Sequence, residues 1–260
     1  MLSKLLKYDF KSLSKMFFPV CLVGFLLAII TRISNMLAEH FSIFSVPSGF
    51  ISAIFVVILI AIPIAIFIYT IVKFYQNLIK DEGYLMHTIP VSKNSLVLSK
   101  TISSTLFIFL SFIVSMLLLC VGVYGIWFDH SLFTALGKLF DYIDTLFIIL
   151  IILSLIISVI FNQVMIYASI ALGQKHNNKI AFSIIYGIIL YNVTQILSLI
   201  ILLPFMLLNT NYQEYINATY TTDYGLINGY LALALVVSIL FTVLYYVLTV
   251  KVLDEKLNLE

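Results

Sequence analysis

The chain has 260 residues, of which 62% are hydrophobic and only 10% charged, with a net charge of +2. Ordinary soluble domains carry roughly 45–50% apolar and about 25% charged residues, so this composition excludes a water-soluble globular fold and places the chain in lipid. It is expected to be an all-α integral membrane protein forming a single transmembrane domain over residues 1–260.

Six apolar stretches reach the roughly 20 residues a helix needs to cross a bilayer. They cover about 17–37, 50–77, 101–127, 144–172, 180–208 and 227–250. Pro63 and Pro204 are expected kink points. A barrel is disfavoured, because continuous apolar runs such as Leu146 to Ile157 lack the alternation of a lipid-and-lumen strand.

Ahead of the first span, residues 2–16 read as an amphipathic interfacial helix. At about 100° per residue, Lys4, Lys7, Lys11 and Lys15 fall within about 80° of one another. Leu2, Leu5, Leu6, Phe10, Leu13, Met16 and Phe17 fill the opposite face, which suits a helix on the inner membrane surface with that face in acyl chains. The lysines then lie near anionic head groups or an acidic partner. Asp9 breaks the apolar face, and a carboxylate facing lipid is costly, so it is expected to pair with a cation from another segment or to sit against protein. The first apolar run exceeds a signal-peptide core and is followed by Arg32, Asn35, Glu39 and His40, so it reads as retained.

The cations fix the expected orientation. Of the 14 Lys and Arg residues, 12 fall on one side: Lys4, Lys7, Lys11 and Lys15, then Lys73, Lys80, Lys93 and Lys100, then Lys175 and Lys179, then Lys251 and Lys256. Only Arg32 and Lys138 fall on the other, among Glu39, Asp129, Asp141, Asp144, Glu214 and Asp223. By the positive-inside rule the lysine-rich side is cytoplasmic, and six spans bring both termini there.

The longest connection on that side, residues 80–92, is Lys80-Asp81-Glu82-Gly83-Tyr84-Leu85-Met86-His87-Thr88-Ile89-Pro90-Val91-Ser92. Asp81 and Glu82 suit the first turn of a short helix, where carboxylates complement the positive dipole end. Pro90 disfavours helix at Ile89, and Ser92 is placed to cap the third span. Tyr84, Leu85, Met86 and Ile89 are more apolar than a solvated loop needs, and suit docking in a groove of another protein. An interfacial loop is the plainer alternative.

Polar residues within the spans are Asn162 and Gln163, then Asn192, Thr194 and Gln195. They either line a translocation path or act as interhelical hydrogen bonds, and the second role is the commoner one. The segment from Asn209 to Gly225, with Tyr212, Tyr215, Tyr220 and Tyr224, fits a cap at the outer interface. Gly225 and Gly229 form a small-residue pair four apart.

Catalytic and metal-binding residues are expected to be none. There is no phosphate loop of the form GxxxxGK[ST], no HExxH and no GxSxG, and His40, His87, His130 and His176 lack a second ligand at metal spacing. Cys21 and Cys120 lie within predicted spans and read as small buried thiols. No span carries a central charge of the kind ion-coupled transporters use as a relay. Nucleic acid is not an expected partner.

Three stretches on the lysine-rich side carry a resemblance. They are Asp81-Glu82-Gly83-Tyr84-Leu85 through Pro90-Val91-Ser92-Lys93 to Leu98-Ser99-Lys100, then Ser169-Ile170-Ala171-Leu172-Gly173-Gln174-Lys175-His176, and the tail from Lys251 to Glu260. Together with the six spans they make the chain similar to membrane permease subunits of type-2 ATP-binding-cassette exporters from Gram-positive bacteria. The first stretch departs from the usual pattern at Met86-His87, where small polar residues are common.

The resemblance implies a coupling helix after the second span, with Asp81, Glu82, Gly83, Tyr84, Leu85 and His87 at the contact with a separate ATPase. It implies that two permeases, either two copies of this chain or related ones, join two ATPases, with ATP and magnesium held on the ATPase and no cofactor here. The location implied is the bacterial plasma membrane, and the implied substrate is an amphipathic or antimicrobial peptide or another lipophilic compound. The alternatives are a membrane-embedded substrate-binding or sensory subunit, which need not have the coupling connection, and an intramembrane enzyme, which needs a buried catalytic constellation.

Overall fold

A computed structural model describes residues 2–79, 91–124, 137, 143–208 and 224–255. Six of its helices are long and apolar enough to cross a membrane, and the described residues include no strand. They are α1 (Leu2–His40), α2 (Ser45–Leu78), α3 (Lys93–Leu119), α4 (Thr145–Gly173), α5 (Lys179–Leu208) and α6 (Tyr224–Glu255). A 3-10 turn, Ser42–Phe44, joins α1 to α2, and a π-helical segment, Cys120–Tyr124, follows α3.

The helices form because an apolar medium leaves each backbone amide and carbonyl no partner outside its own segment. Hydroxyls along them follow the same logic. Thr31, Ser111, Ser154 and Thr242 each donate to a carbonyl three or four residues earlier in their own helix, at 2.6–2.8 Å. This satisfies the side chain without a water. Pro63 and Pro204 both lie inside continuous helices, as does Pro19.

The chain divides into two compact units, residues 1–74 with 98–136, and residues 75–97 with 137–260. In the first unit α1 and α2 run antiparallel, with Ser52 donating to Asn35 at 3.2 Å, while α1 and α3 run parallel. The parallel register is visible in successive pairings of Asp9 with Lys100, Phe17 with Phe107, and Gly24 with Leu118. The core between them holds Ala28, Phe55, Leu59, Ile62 and Leu118, all buried. Gly24 permits this approach, since a methyl group there would lie 2.9 Å from the ends of both Ile62 and Leu118. Gly122 in the π-helical segment leaves room for the ring of Phe55.

In the second unit α4, α5 and α6 pack around Val164, Met165, Ala168 and Tyr245. The turn from α4 to α5 is tight at Gly173, where a Cβ would meet Ser183 Oγ and lie 2.6 Å from the Ser183 amide nitrogen and 2.8 Å from the Lys179 carbonyl. Two of those obstacles are backbone and cannot swing aside. A Cβ at Gly229 would instead lie 3.0 Å from the Phe205 ring, a side chain.

One expectation is revised by this arrangement. Residues 2–16 are the first turns of one 39-residue helix that also contains the first span, with no break at residue 17. Their apolar face turns to protein: Leu13 and Phe17 are buried, and Phe10 and Phe17 pack against Phe107 of α3 at ring-centroid distances of 5.5 and 5.3 Å. The third helix begins at Lys93, directly after the Ser92 expected to cap it and ahead of the apolar span near residue 101, its first two turns being polar yet helical.

Candidate functional site

The residues expected to touch a partner, Asp81, Glu82, Gly83, Tyr84, Leu85 and His87, lie outside the described residues. The start of α3 beside them is described. Ser92 Oγ accepts from the Ser95 amide at 3.3 Å and hydrogen-bonds the Ser95 hydroxyl at 2.8 Å. This is the cap expected from the sequence, and it satisfies an amide that the helix start leaves open. Beyond it Leu96 and Val97 are fully buried, so the first turns of α3 are seated in protein.

One helical step further on is a buried charge pair. Lys100 Nζ donates to Asp9 Oδ1, and Ser99 Oγ donates to Asp9 Oδ2 at 2.9 Å. Both charged side chains are more than nine-tenths buried. Asp9 is the eighth residue of α1 and Lys100 the eighth of α3, so in two parallel helices they meet at the same height. Each carboxylate oxygen thus has a donor, which is what a buried ion pair requires to offset its desolvation. The sequence called for a cation from another segment or a protein surface opposite Asp9; Lys100 went unrecognised because it was assigned to a connection, not to a helix.

Polar contacts in the second unit are neutral in the apolar parts of the helices. Thr194 Oγ1 and Tyr245 Oη hydrogen-bond across α5 and α6, and Tyr245 also donates to the Leu190 carbonyl at 3.2 Å. Tyr246 Oη hydrogen-bonds Asn94 through its side chain and carbonyl. At the other end, Asp144 caps α4 by accepting from the Leu146 amide at 3.3 Å and accepts from Asn228 at 2.7 Å. In the loop after α4, His176 stacks on Phe182 with ring centroids 3.9 Å apart and hydrogen-bonds Tyr186 Oη at 3.0 Å.

Of the four expected path residues, Asn162 and Gln163 lie on α4 and Asn192 and Gln195 on α5. Gln163 is fully buried and donates to Tyr167 Oη in its own helix at 2.6 Å. Asn162 donates to the Ser158 carbonyl at 2.8 Å and is half-buried. Asn192 and Gln195 share an exposed face of α5, Asn192 donating to the Ile188 carbonyl at 2.7 Å. Among the described residues no three His, Cys, Asp or Glu side chains cluster as a metal site, and Cys21 and Cys120 are free thiols.

Comparison with known proteins returned no family model, no curated protein and no solved structure similar to the chain.

Proposed function

We propose that this chain is the membrane-spanning permease subunit of an ATP-driven exporter, joined to a second permease and to two separate ATPase chains. The observation that carries the reading is the connection 80–92, in which two acids and a glycine precede Tyr84 and Leu85 and a proline separates them from the Ser92 cap. Such a segment suits the groove of a soluble partner. The chain has no phosphate loop, so the energy for transport comes from that partner.

The helices supply a lever. A displacement at the connection passes directly into α3, which is one helix from Lys93 to Leu119. Asp9 bonded to Lys100 then carries α1 with it, since parting the two charges in a dry interior is costly. Asn192 and Gln195 mark where a second permease or the substrate path meets α5, because carboxamides facing hydrocarbon are unfavourable. The substrate class that suits so apolar a chain is an amphipathic peptide or another lipophilic compound, carried across a bacterial plasma membrane with both termini of this chain inside.

The test is nucleotide hydrolysis by the chain alone and with the ATPase encoded beside it, both in lipid nanodiscs. The chain alone is expected to neither bind nor hydrolyse ATP, and the complex to hydrolyse it faster when an amphipathic peptide is added. Hydrolysis by the chain alone, or a partner ATPase indifferent to its presence, would rule the proposal out.

A further inference from the structure

The outward face of α1 is one continuous stripe that changes character along its length. Taken at about 100° per residue, Lys4, Lys7, Lys11 and Lys15 lie within about 80° of one another, and Phe18, Leu22, Phe25, Ile29 and Ile33 continue the same sector. All nine side chains are exposed, Phe18 to 68%. The opposite sector carries Asp9, Leu13, Phe17, Gly24 and Ala28, all buried. The lysines are therefore an extension of the exposed apolar face of the span.

We infer that Lys11 and Lys15 form a binding site for anionic phospholipid head groups at the foot of this lipid-facing stripe, with Lys7 and Lys4 as outlying charges. Distance along the axis ranks the four. With Phe18 at the edge of the hydrocarbon, Lys15 lies about 4.5 Å and Lys11 about 10 Å beyond it, whereas Lys7 and Lys4 lie about 16 and 21 Å beyond. Head groups occupy roughly the first 5–8 Å outside the hydrocarbon core. Lys15 reaches them, Lys11 reaches their outer edge, and the other two act through the diffuse layer, which decays over about 8–10 Å in physiological salt.

Phospholipid is favoured over an acidic protein by this continuity. A partner gripping the ladder from the aqueous side would engage Lys4 and Lys7 first, together with Tyr8, which is 71% exposed. The inference needs only that α1 crosses a membrane, and stands apart from the exporter reading.

The experiment places bimane on Phe18→Cys in a Cys21→Ser, Cys120→Ser background, reconstituted in phosphatidylcholine vesicles. Quenching is compared between phosphatidylglycerol and phosphatidylcholine, each spin-labelled near the head group. Labelled phosphatidylglycerol is expected to quench about threefold more strongly at low salt. The preference falls toward one in about 0.5 M salt, a control that needs no lysine variant. Lys11→Gln with Lys15→Gln removes most of the preference, and Lys4→Gln with Lys7→Gln leaves most of it. Equal quenching by the two lipids overturns the site, and so does a preference lost with Lys4 and Lys7 but kept without Lys11 and Lys15.

Discussion

The two units of the chain hold their helices together by different means. In the first, α1 and α3 are joined by a buried ion pair near their starts and by glycine and aromatic packing further along. In the second, α4, α5 and α6 meet through hydroxyl and carboxamide contacts and a close approach at Gly173. The difference follows from depth. A charge is tolerated at the eighth residue of a helix, about 11 Å from its start, where only a short path separates it from water. A neutral hydroxyl such as Thr194 serves in the middle of α5, where ionised groups are costly.

The comparison is broken most sharply at the ion pair. Removing one partner takes the counter-charge from a buried ionised group, so Asp9→Ala or Lys100→Ala is expected to cost about 3–5 kcal/mol. Asp9→Leu combined with Lys100→Met restores most of that loss, because both charges then leave together. Thermal unfolding in detergent, followed by size-exclusion elution, reads both results. A double variant as unstable as the single ones would mean that the pair is not an isolated unit.

Gly173→Ala comes next. Its added methyl collides with the Ser183 backbone and not merely with a movable side chain, so a loss of about 1–3 kcal/mol is expected from the same unfolding measurement. Gly24→Ala meets only the ends of Ile62 and Leu118, and is expected to cost less than Gly173→Ala.

Two smaller effects sharpen the account. Ser92→Ala removes the cap of α3 and is expected to cost about 1 kcal/mol, with faster amide exchange confined to the first turn. Thr194→Val is expected to cost about 0.6 kcal/mol, the usual worth of an interhelical hydrogen bond in a membrane. A cycle with Tyr245→Phe should recover a coupling of that size, and no coupling would remove the bond from the account.

Much of this fold was legible beforehand, for a physical reason. Six long apolar stretches in a medium without water can only be helices, and the boundaries of α4 and α5 fall within about a residue of where hydropathy ends. Helix starts were harder, because Lys93 to Lys100 is polar in composition yet helical, and hydropathy does not report a polar helical turn. At the amino terminus the four lysines are exposed while Asp9, Leu13 and Phe17 are buried. What covered the apolar face was not legible, since a helix face looks alike whether lipid or another helix meets it. The pairing of Asp9 followed from its cost, but its partner emerged only when α1 and α3 were seen to be parallel and in register.

The central claim, that a separate ATPase grips the connection between α2 and α3, is tested most directly by co-elution. The chain is co-expressed with the ATPase encoded beside it, as wild type and as Tyr84→Glu with Leu85→Glu, with the variant's fold checked by its own elution and helicity. The account predicts that the ATPase elutes with the wild type and is lost from a folded variant. A wild-type chain that retains no ATPase, or a folded variant that retains it fully, would contradict the account.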